Sequence, residues 1–484
     1  MAQIILNSAE NSALLQTLQQ SDSKVIPSIY STKEIYAPSA TSWFNQSPSQ
    51  SQAVVAGSTL TYDLNKYGIL EQMLFTFSAT VGMTPSAADF RACFPSGYIY
   101  QLIERIDFLS SSRVISTIFS EDLRAQHSNL STANLAPIVQ SAIGRQSSGQ
   151  TGNQADTFVA QYCIPIVWGF LKDINTCPNL SFMESCQVRF TFRNPLAVNE
   201  INLTTGAQNS APANTTVAIL GGGTSPAGAS PSGTFPTLMV RYKQYGEADT
   251  AQLLAENYNS EQLNMLSSRC YRENPVGFGV ASNASTAVKL QVNVDLKNVD
   301  VVKGFYVYVT KTFDGISNGT GAGDNVFLRS ANMCYEIESV RMTASGQEIC
   351  NINTTQNSYM KLTENGYAVN GVAEGTSMVA SMTGKDITNL QLYNIYKIQT
   401  GLFENDGGGA WSNGWSLREM TNCRIEITLP VFLSNATALT HANKGRIFLP
   451  NAGTTQYSVF VVEDCSTILS TASNTGRTVN SLTN

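Results

Sequence analysis

Charged side chains are scarce in this chain. Asp, Glu, Lys and Arg make up 13% of its 484 residues, about half the usual share of a globular protein. The first 23 residues contain no Lys or Arg, and the last 12 contain only Arg477. A protein that grips nucleic-acid phosphates needs clustered basic side chains. With a net charge of −6 as well, the sequence predicts no direct nucleic-acid binding.

Residues for catalysis and metal binding are also few. There are two histidines, His127 and His441, so a Ser-His-Asp relay or a histidine metal site is poorly supplied. The nine cysteines form no CxxC pair, which indicates buried reduced thiols. The glycine-rich stretches at 221–223 and 319–324 lack the strand–loop–helix setting of a phosphate loop. The sequence therefore predicts neither an enzyme nor a cofactor.

Long hydrophobic runs are absent too. The longest apolar run, IPIVWGFL at 164–171, is far shorter than the roughly 20 residues that span a bilayer. The beginning, MAQIILNSAENS, has neither the charged nor the apolar region of a secretory signal. We therefore expect a chain that is made and kept reduced in a cytoplasm.

What the chain does contain is an internal repeat. The stretch YIYQLIERIDFLSSSRVISTIF (98–119) reads as strand, tight turn and strand, and NMCYEIESVRMTASGQEICNIN (332–353) reads the same way. They align without a gap at a shift of 234 residues. The alignment predicts turns at 110–112 and 344–346. It also predicts that Ile106, Phe108, Val340 and Met342 face the core.

Flanking segments match in the same order at similar shifts. Residues 62–80 align with 294–312, 162–171 with 393–403, and 185–195 with 422–432, at shifts of 231–237. The last pair, 237–245 and 457–465, has a shift of about 219, which a Gly/Ser/Pro/Ala-rich insertion at 204–233 explains. Five segments in one order indicate a duplicated unit of about 200 residues.

Alternating strands with long connections predict an all-β chain of two tandem eight-stranded antiparallel jelly rolls, with short helices in loops and an N-terminal arm. One such helix is expected within 116–130. The predicted boundaries are an arm at 1–50, a first jelly roll at 51–246, a linker with helical turns at 247–270, a second jelly roll at 271–472 and a tail at 473–484.

The arm carries the candidate partner-docking residues. Leu14, Leu15 and Leu18 form one stripe of a predicted helix in the segment 7–23. Neither jelly roll offers this stripe an obvious core. We therefore expect it to dock on a neighbouring protein or a membrane surface.

Two other groups of side chains suggest sites but have plainer explanations. Glu104 and Glu338 occupy equivalent positions and could form a pair of catalytic carboxylates, but each is expected at a solvated sheet end. The aromatic strand FYVYV (305–309) could bind a sugar. Its Tyr306 and Tyr308 are instead expected to pack against the second sheet or a neighbouring subunit.

The segments GSTLTYDLNKYGILEQMLFTFS (57–78) and LIERIDFLSSSRVISTI (102–118) resemble the opening strands of double jelly-roll major capsid proteins. That family belongs to icosahedral double-stranded DNA viruses and includes adenovirus hexon and the capsid proteins of tailless membrane phages and large DNA viruses. The resemblance covers roughly residues 50–470 and implies a structural protein of the virion shell, made in the host cytoplasm. It also implies a homotrimer that forms a pseudo-hexameric capsomer, with the loops 199–235, 313–330 and 404–416 outermost. The implied partners are neighbouring capsomers, minor capsid or penton proteins, and an internal membrane under the shell.

Two other classes of protein remain open at this stage. A viral spike or lectin-like receptor-binding protein could be built from two β-sandwiches. A peptide-N-glycosidase-like enzyme also uses two jelly rolls, but it needs an acidic cleft between them, and the sequence shows no acidic cluster for one.

Overall fold

The computed structural model describes the two predicted units and most of their strands. The described residues are 39–50, 52–84, 90–93, 98–127, 156–166, 168, 171, 177–183, 185–193, 199–202, 208–210, 216–220, 235–245, 262–298, 301–311, 334–357, 360, 394–399, 414–434, 437, 445–450, 452–472 and 479–482.

The first unit begins with strands that alternate between two facing sheets. Its strands are β1 Ser39–Gln46, β2 Thr59–Leu64, β3 Ile69–Met83, β4 Phe90–Cys93, β5 Ile103–Ser110, β6 Arg113–Phe119, β7 Asp156–Pro165, β8 Cys186–Phe192, β9 Asn199–Asn202, β10 Gln208–Ser210, β11 Thr216–Leu220 and β12 Thr237–Tyr245. Its helices are α1 Tyr98–Leu102, α2 Ser120–His127 and a 3-10 turn at Leu180–Phe182.

The second unit repeats this arrangement. Its strands are β13 Gln262–Arg272, β14 Val276–Ala281, β15 Gln291–Asp295, β16 Val301–Lys311, β17 Ser339–Ala344, β18 Gln347–Asn353, β19 Tyr396–Gln399, β20 Trp415–Ser416, β21 Arg424–Thr428, β22 Thr454–Ala472 and β23 Val479–Leu482. A 3-10 turn lies at Leu417–Glu419, and residues 354–357 directly after β18 are helical.

Sheet topology identifies both units as jelly rolls. In the first, one sheet runs β1-β12-β3-β7 and the other β2-β8-β5-β6. In the second, β13 and β14 lie along one edge of β22, followed by β16 and β19, and the facing sheet runs β15-β21-β17-β18. All of these pairs are antiparallel. The predicted fold class is therefore confirmed.

Strand register confirms the duplication. Ile106 pairs with Phe190 in the first unit, and the aligned residues Val340 and Ile427 pair in the second. All four side chains are buried, as are Phe108 and Met342, so the predicted inward faces are correct. A register that slipped by one residue would have turned these side chains to solvent.

The two hairpin turns also match. Ser111 and Ser112 have φ of 49° and 65°, and the aligned Ser345 and Gly346 have 52° and 78°. Two successive residues with positive φ produce the turn whose twist suits a two-residue hairpin. Each hairpin also has a bulge at the same place, after Phe108 in one and after Met342 in the other.

Both units have an ion pair at equivalent positions of the sheet that contains the hairpin, but the acidic and basic residues have exchanged strands. Asp107 on β5 accepts hydrogen bonds from Arg189 on β8, at 2.8 and 3.1 Å. The aligned residues in the second unit are Arg341 on β17 and Glu426 on β21, which lie 3.2 Å apart. Opposite charges directly across two strands stabilise their pairing whichever strand carries the acid.

The structure corrects four details of the sequence interpretation. Strand β1 lies within 1–50 and pairs with β12, so residues 39–46 belong to the first sheet and not to an arm. Residues 262–270 are strand, because β13 pairs along β22, and this tertiary pairing overrides a mixed leucine pattern. The insertion at 204–233 contains β10 and β11. Pairing with β3 and β16 aligns β12 with β22 at a shift of 223, because Phe75 opposes Leu238 and Val307 opposes Val461.

The two cores differ in composition. The first is rich in aromatic rings, with Phe75 stacked on Phe190 at a centroid distance of 4.3 Å and Tyr62 edge-on to Phe190 at 5.6 Å. The second is mainly aliphatic, and Val292, Val294, Val307, Val340, Ile425 and Ile427 belong to it. The duplication has therefore preserved register while the core side chains diverged.

Replacing Phe108 with Ala should lower the free energy of unfolding by about 3–5 kcal/mol, because it empties a well-packed site. Phe108 is 1% exposed and lies edge-on to Trp168. Denaturant unfolding followed by tryptophan fluorescence measures the loss. The control is Val114→Ala on the neighbouring strand, where the side chain is 44% exposed and the change should stay within about 0.5 kcal/mol. Equal losses in the two variants would contradict the assigned register.

Candidate functional site: the junction between the jelly rolls

Helix α2 joins the two jelly rolls. It follows β6 directly, and Asp122 Oδ2 accepts a hydrogen bond of 2.9 Å from the backbone N–H of Phe119, which caps the first turn. Acidic residues lie in its first turn and basic residues in its last, as the helix dipole favours. Seven of its eight residues are nevertheless buried. A polar helix this deeply buried must be covered by another part of the chain.

The cover comes from the second jelly roll. Along β16 the side chains alternate, so Phe305, Val307 and Val309 face the second core and Tyr306 and Tyr308 face outward. Both tyrosines are nonetheless at most 2% exposed, because they join the apolar cluster of the first unit. From the second unit this cluster also includes Phe460, Val462, Cys334 and Ile395. The expectation of a second sheet or neighbouring subunit was wrong, since the tyrosines cover the first jelly roll of their own chain.

Glu121 is the ionic centre of the junction. Its two carboxylate oxygens lie 3.0 Å from Arg193 Nη2 in the first unit and 2.8 Å from Arg272 Nη1 in the second. Its backbone carbonyl accepts a hydrogen bond of 3.0 Å from the Tyr308 hydroxyl. Burial alone would raise the pKa of Glu121, but Arg193 and Arg272 outweigh this and hold the pKa below its ordinary value. The carboxylate is therefore charged and ties one roll to the other.

Arg124 supplies a second cation to the junction. Its guanidinium lies over the rings of Tyr100 and Tyr308, with centroid distances of 4.8 and 5.8 Å, and Nη1 is 3.7 Å from Cys334 Sγ. Burial favours the neutral form, but the neighbouring thiol and hydroxyl groups together with Glu121 raise the pKa of Arg124. Two aromatic rings within 6 Å help a buried guanidinium keep its charge.

His127 contributes as a neutral hydrogen-bonding group. Its Nε2 lies 2.9 Å from the carbonyl oxygen of Pro165, and its Nδ1 lies 2.8 Å from the Tyr100 hydroxyl. A carbonyl can only accept, so Nε2 carries the proton and Nδ1 accepts from Tyr100. Burial lowers the pKa of His127 to about 4, although the bond to Pro165 opposes the shift. The imidazole therefore stays uncharged near neutral pH.

Asp122 differs from its neighbour Glu121. It is 1% exposed, and its Oδ1 finds no hydrogen-bond partner among the described residues. Burial raises the pKa of Asp122 to about 7, although the cap bond from Phe119 and the charge of Arg272 oppose the shift. Two adjacent carboxyl groups thus shift in opposite directions, because only one of them has arginines at its oxygens.

The residues singled out in the sequence are mostly elsewhere. Leu14, Leu15, Leu18 and His441 lie outside the described residues, as do the stretches 221–223 and 319–324. Glu104 lies in β5, whereas Glu338 directly precedes β17 of the second unit and pairs with Lys289. Only His127 and the two tyrosines of β16 belong to the junction.

Sequence reasoning missed the charged residues of the junction. The available signal was a difference between the copies: SEDLRAQH at 120–127 is charged, while the aligned TTQNSYMK at 354–361 is almost neutral. Across the described residues, no group of three or more His, Cys, Asp and Glu side chains could hold a metal ion. No described helix is long and apolar enough to cross a bilayer.

The chain is similar to solved structures of viral capsid proteins. No protein-family model matches it, and no curated protein matches it. VP54 of PBCV-1, a crystal structure fitted into a reconstruction of the virophage Sputnik, is 10% identical with a TM-score of 0.55, covering 93% of this chain and 98% of its own. The mavirus major capsid protein is 9% identical with a TM-score of 0.55, covering 91% and 90%. The Faustovirus major capsid protein is 9% identical with a TM-score of 0.50, covering 97% and 98%.

The chain has the double jelly-roll fold of these capsid structures. The likeness extends over both units, since each comparison covers at least 90% of both chains. The resemblance predicted from the sequence is therefore confirmed at the level of the fold.

Replacing Glu121 with Ala should lower the free energy of unfolding by about 1–3 kcal/mol, because two partly buried arginines lose their partner. Chemical denaturation measures this loss, and limited proteolysis should show faster cleavage between the rolls. The control is Glu338→Ala, whose pair with Lys289 is solvated at 38% and 53% side-chain exposure and should contribute less than about 1 kcal/mol. A larger loss from Glu338→Ala would contradict this account.

Replacing Asp122 with Asn should change the pH dependence of stability. A carboxyl whose pKa is raised to about 7 on folding stabilises the folded state below pH 4, and this contribution is lost as pH rises to 7. Wild type should therefore lose on the order of a few kcal/mol relative to Asp122→Asn between pH 4 and 7. The opposite contribution of His127, lost as pH falls from 6.5 to about 4, is common to both proteins and cancels. If the free energies of unfolding of wild type and Asp122→Asn change in parallel with pH, the pKa of Asp122 is not raised by burial.

Proposed function

We propose that this chain is a structural major capsid protein of an icosahedral double-stranded DNA virus. The observation that carries the proposal is the fold match along at least 90% of both chains to proteins named as major capsid proteins. A fold shared over one roll alone would fit many functions. The ordered pair of rolls, with a fixed junction between them, is a more specific feature.

The proposed assembly is a homotrimer. Two similar rolls in one chain give three chains six similar sides, which suits a hexagonal lattice of capsomers. A repeated contact between unlike surfaces closes into a ring of three when each contact rotates the next chain by a third of a turn. The low charge content of 13% suits broad side-to-side contacts that desolvate few ions. The proposed location is the virion shell, with neighbouring capsomers, minor or penton proteins and an underlying membrane as partners.

A structural role also fits the junction better than catalysis does. An enzyme of two jelly rolls would need an open acidic cleft between them. In the described residues this region is filled by Tyr306, Tyr308 and Phe460 together with the ion pairs of Glu121. We therefore propose that the chain is not an enzyme.

Native mass spectrometry of the purified chain tests the proposal. A trimer at micromolar concentration, with a six-sided outline in negative stain, is the expected result. The alternative is a spike or lectin-like receptor-binding protein. A stable monomer that binds a glycan array would favour that alternative and overturn the capsid proposal.

The leucine stripe of the N-terminal segment is proposed to contact neighbours at the base of the capsomer. Replacing Leu14, Leu15 and Leu18 with Ser should leave trimers intact but reduce the yield of closed particles, because an apolar docking surface is lost. Particle yield is measured by sedimentation after co-expression of the other shell proteins. The matched control changes the polar neighbours Gln16, Gln19 and Gln20 to Ser. Normal yield from the leucine variant would contradict this role.

A further inference from the structure

The junction joins two different surfaces. The first roll contributes α2 and the end of β6, which we call the helix side. The second roll contributes the outward faces of β16 and β22, which we call the sheet side. Tyr308 donates to the carbonyl oxygen of Glu121 across the contact, and Arg272 lies over Phe119 at 4.3 Å. Because the rolls are copies, each of them has both sides.

The second roll has a helix side of its own. Residues 354–357 follow β18 as α2 follows β6, and Asn353 N–H donates to Gln356 Oε1 at 3.0 Å, as Phe119 N–H donates to Asp122. The environments differ, however. Thr355 and Gln356 are exposed, whereas the aligned Glu121 and Asp122 are covered by the second roll.

The first roll likewise has a sheet side. Strand pairing identifies its members: Leu74 opposes Met239 as Tyr306 opposes Val462, and Thr76 opposes Thr237 as Tyr308 opposes Phe460.

This sheet side is accessible within a single chain. Leu74, Thr76, Met239 and Thr237 are all half-buried, whereas their four counterparts in the second roll are at most 9% exposed. On the adjoining edge strand, Trp43 is 43% exposed above the Arg241 guanidinium. One roll's sheet side is thus buried inside the chain, and the other's remains partly exposed to solvent.

We propose that a second copy of this chain docks here. Its helix side, 354–357 with the end of β18, binds the sheet side of the first roll, built on β3, β12 and β1. The contact repeats between chains the one that α2 makes within a chain. The contact within the chain shows how a helix side and a sheet side of this fold pack together.

The chemistry of the two contacts differs in a matched way. Thr355 takes the place of Glu121, and Thr76 takes the place of Tyr308. The charged and aromatic partners of the internal junction are thus replaced together by hydroxyl groups. The contact between chains is therefore expected to be neutral and hydrated, with Leu74, Met239 and Trp43 as its apolar part.

Each chain then has one open helix side and one open sheet side. In a trimer, three repeats of this unlike contact close a ring, and this inference rests on the proposed trimeric capsid function. It adds to that function which surfaces meet and in which order around the ring.

Two single variants test the surfaces. Met239→Arg places a charge on the sheet side, and Thr355→Arg places one on the helix side. Each should weaken trimer formation about a hundredfold or more, since a long charged side chain keeps the two surfaces from meeting closely. The control is Val288→Arg at a site that is 65% exposed and outside both surfaces. Native mass spectrometry gives the oligomeric state, and circular dichroism checks the fold; if Met239→Arg is unfolded, Trp43→Ser replaces it.

A mixture of the two variants gives the sharper test. The intact helix side of Met239→Arg can dock on the intact sheet side of Thr355→Arg. The mixture should therefore form heterodimers and no closed trimers, although each variant alone is monomeric.

The outcomes separate this inference from the proposed function. If the wild type and both variants all form trimers, the assigned surfaces are wrong and the capsid proposal still stands. If Val288→Arg loses the trimer as fully as the two variants do, the assigned surfaces are also wrong. A monomeric wild type would overturn both.

Discussion

The arrangement of the two jelly rolls depends on one carboxylate. Glu121 lies between Arg193 of the first roll and Arg272 of the second, at 3.0 and 2.8 Å. The apolar part of the junction, formed by Tyr306, Phe460 and their neighbours, would tolerate sliding because the hydrophobic effect has no direction. The Glu121–Arg272 ion pair and the Tyr308 hydrogen bond to the Glu121 carbonyl both cross the junction, and they have direction, so together they restrict how the rolls can shift. The rolls therefore behave as one unit with a set orientation, which any regular assembly of the chain requires.

Fixing that orientation has a cost. Glu121, Arg193, Arg272 and Arg124 lose much of their hydration at the junction, and buried ion pairs often return less free energy than their desolvation takes. The pKa of Glu121 lies below its ordinary value, so at this residue attraction exceeds the penalty. At Asp122, one residue further along, burial prevails and the pKa rises. The contrast indicates that the charges contribute more to the orientation of the two rolls than to the overall free energy of folding.

The sequence was sufficient to predict the features that follow from strand alternation and from alignment of the two copies. The alternation in β5 and β17 and the tight turns at 111–112 and 345–346 follow from these, and so does the fold class. Strands β1 and β13 were not predictable, because their short or mixed patterns become strands only through pairing with β12 and β22. The junction was missed for a related reason. A charged helix such as α2 reads as a solvated surface element, and nothing local reveals that another roll covers it.

The divergence of the two copies is greatest where their surroundings differ. Within a chain the two surfaces are linked and always meet, so large apolar rings such as Tyr308 and Phe460 are covered as soon as the chain folds. On the proposed assembly, the equivalent surface of the first roll stays in water until another chain arrives. Exposed patches of such rings would promote indiscriminate association. Thr76 and Thr237 at these positions make the sheet side of the first roll more polar before assembly. Half-buried Leu74 and Met239 still provide apolar area for docking. The same fold therefore carries a permanent contact on one copy and an assembly contact on the other.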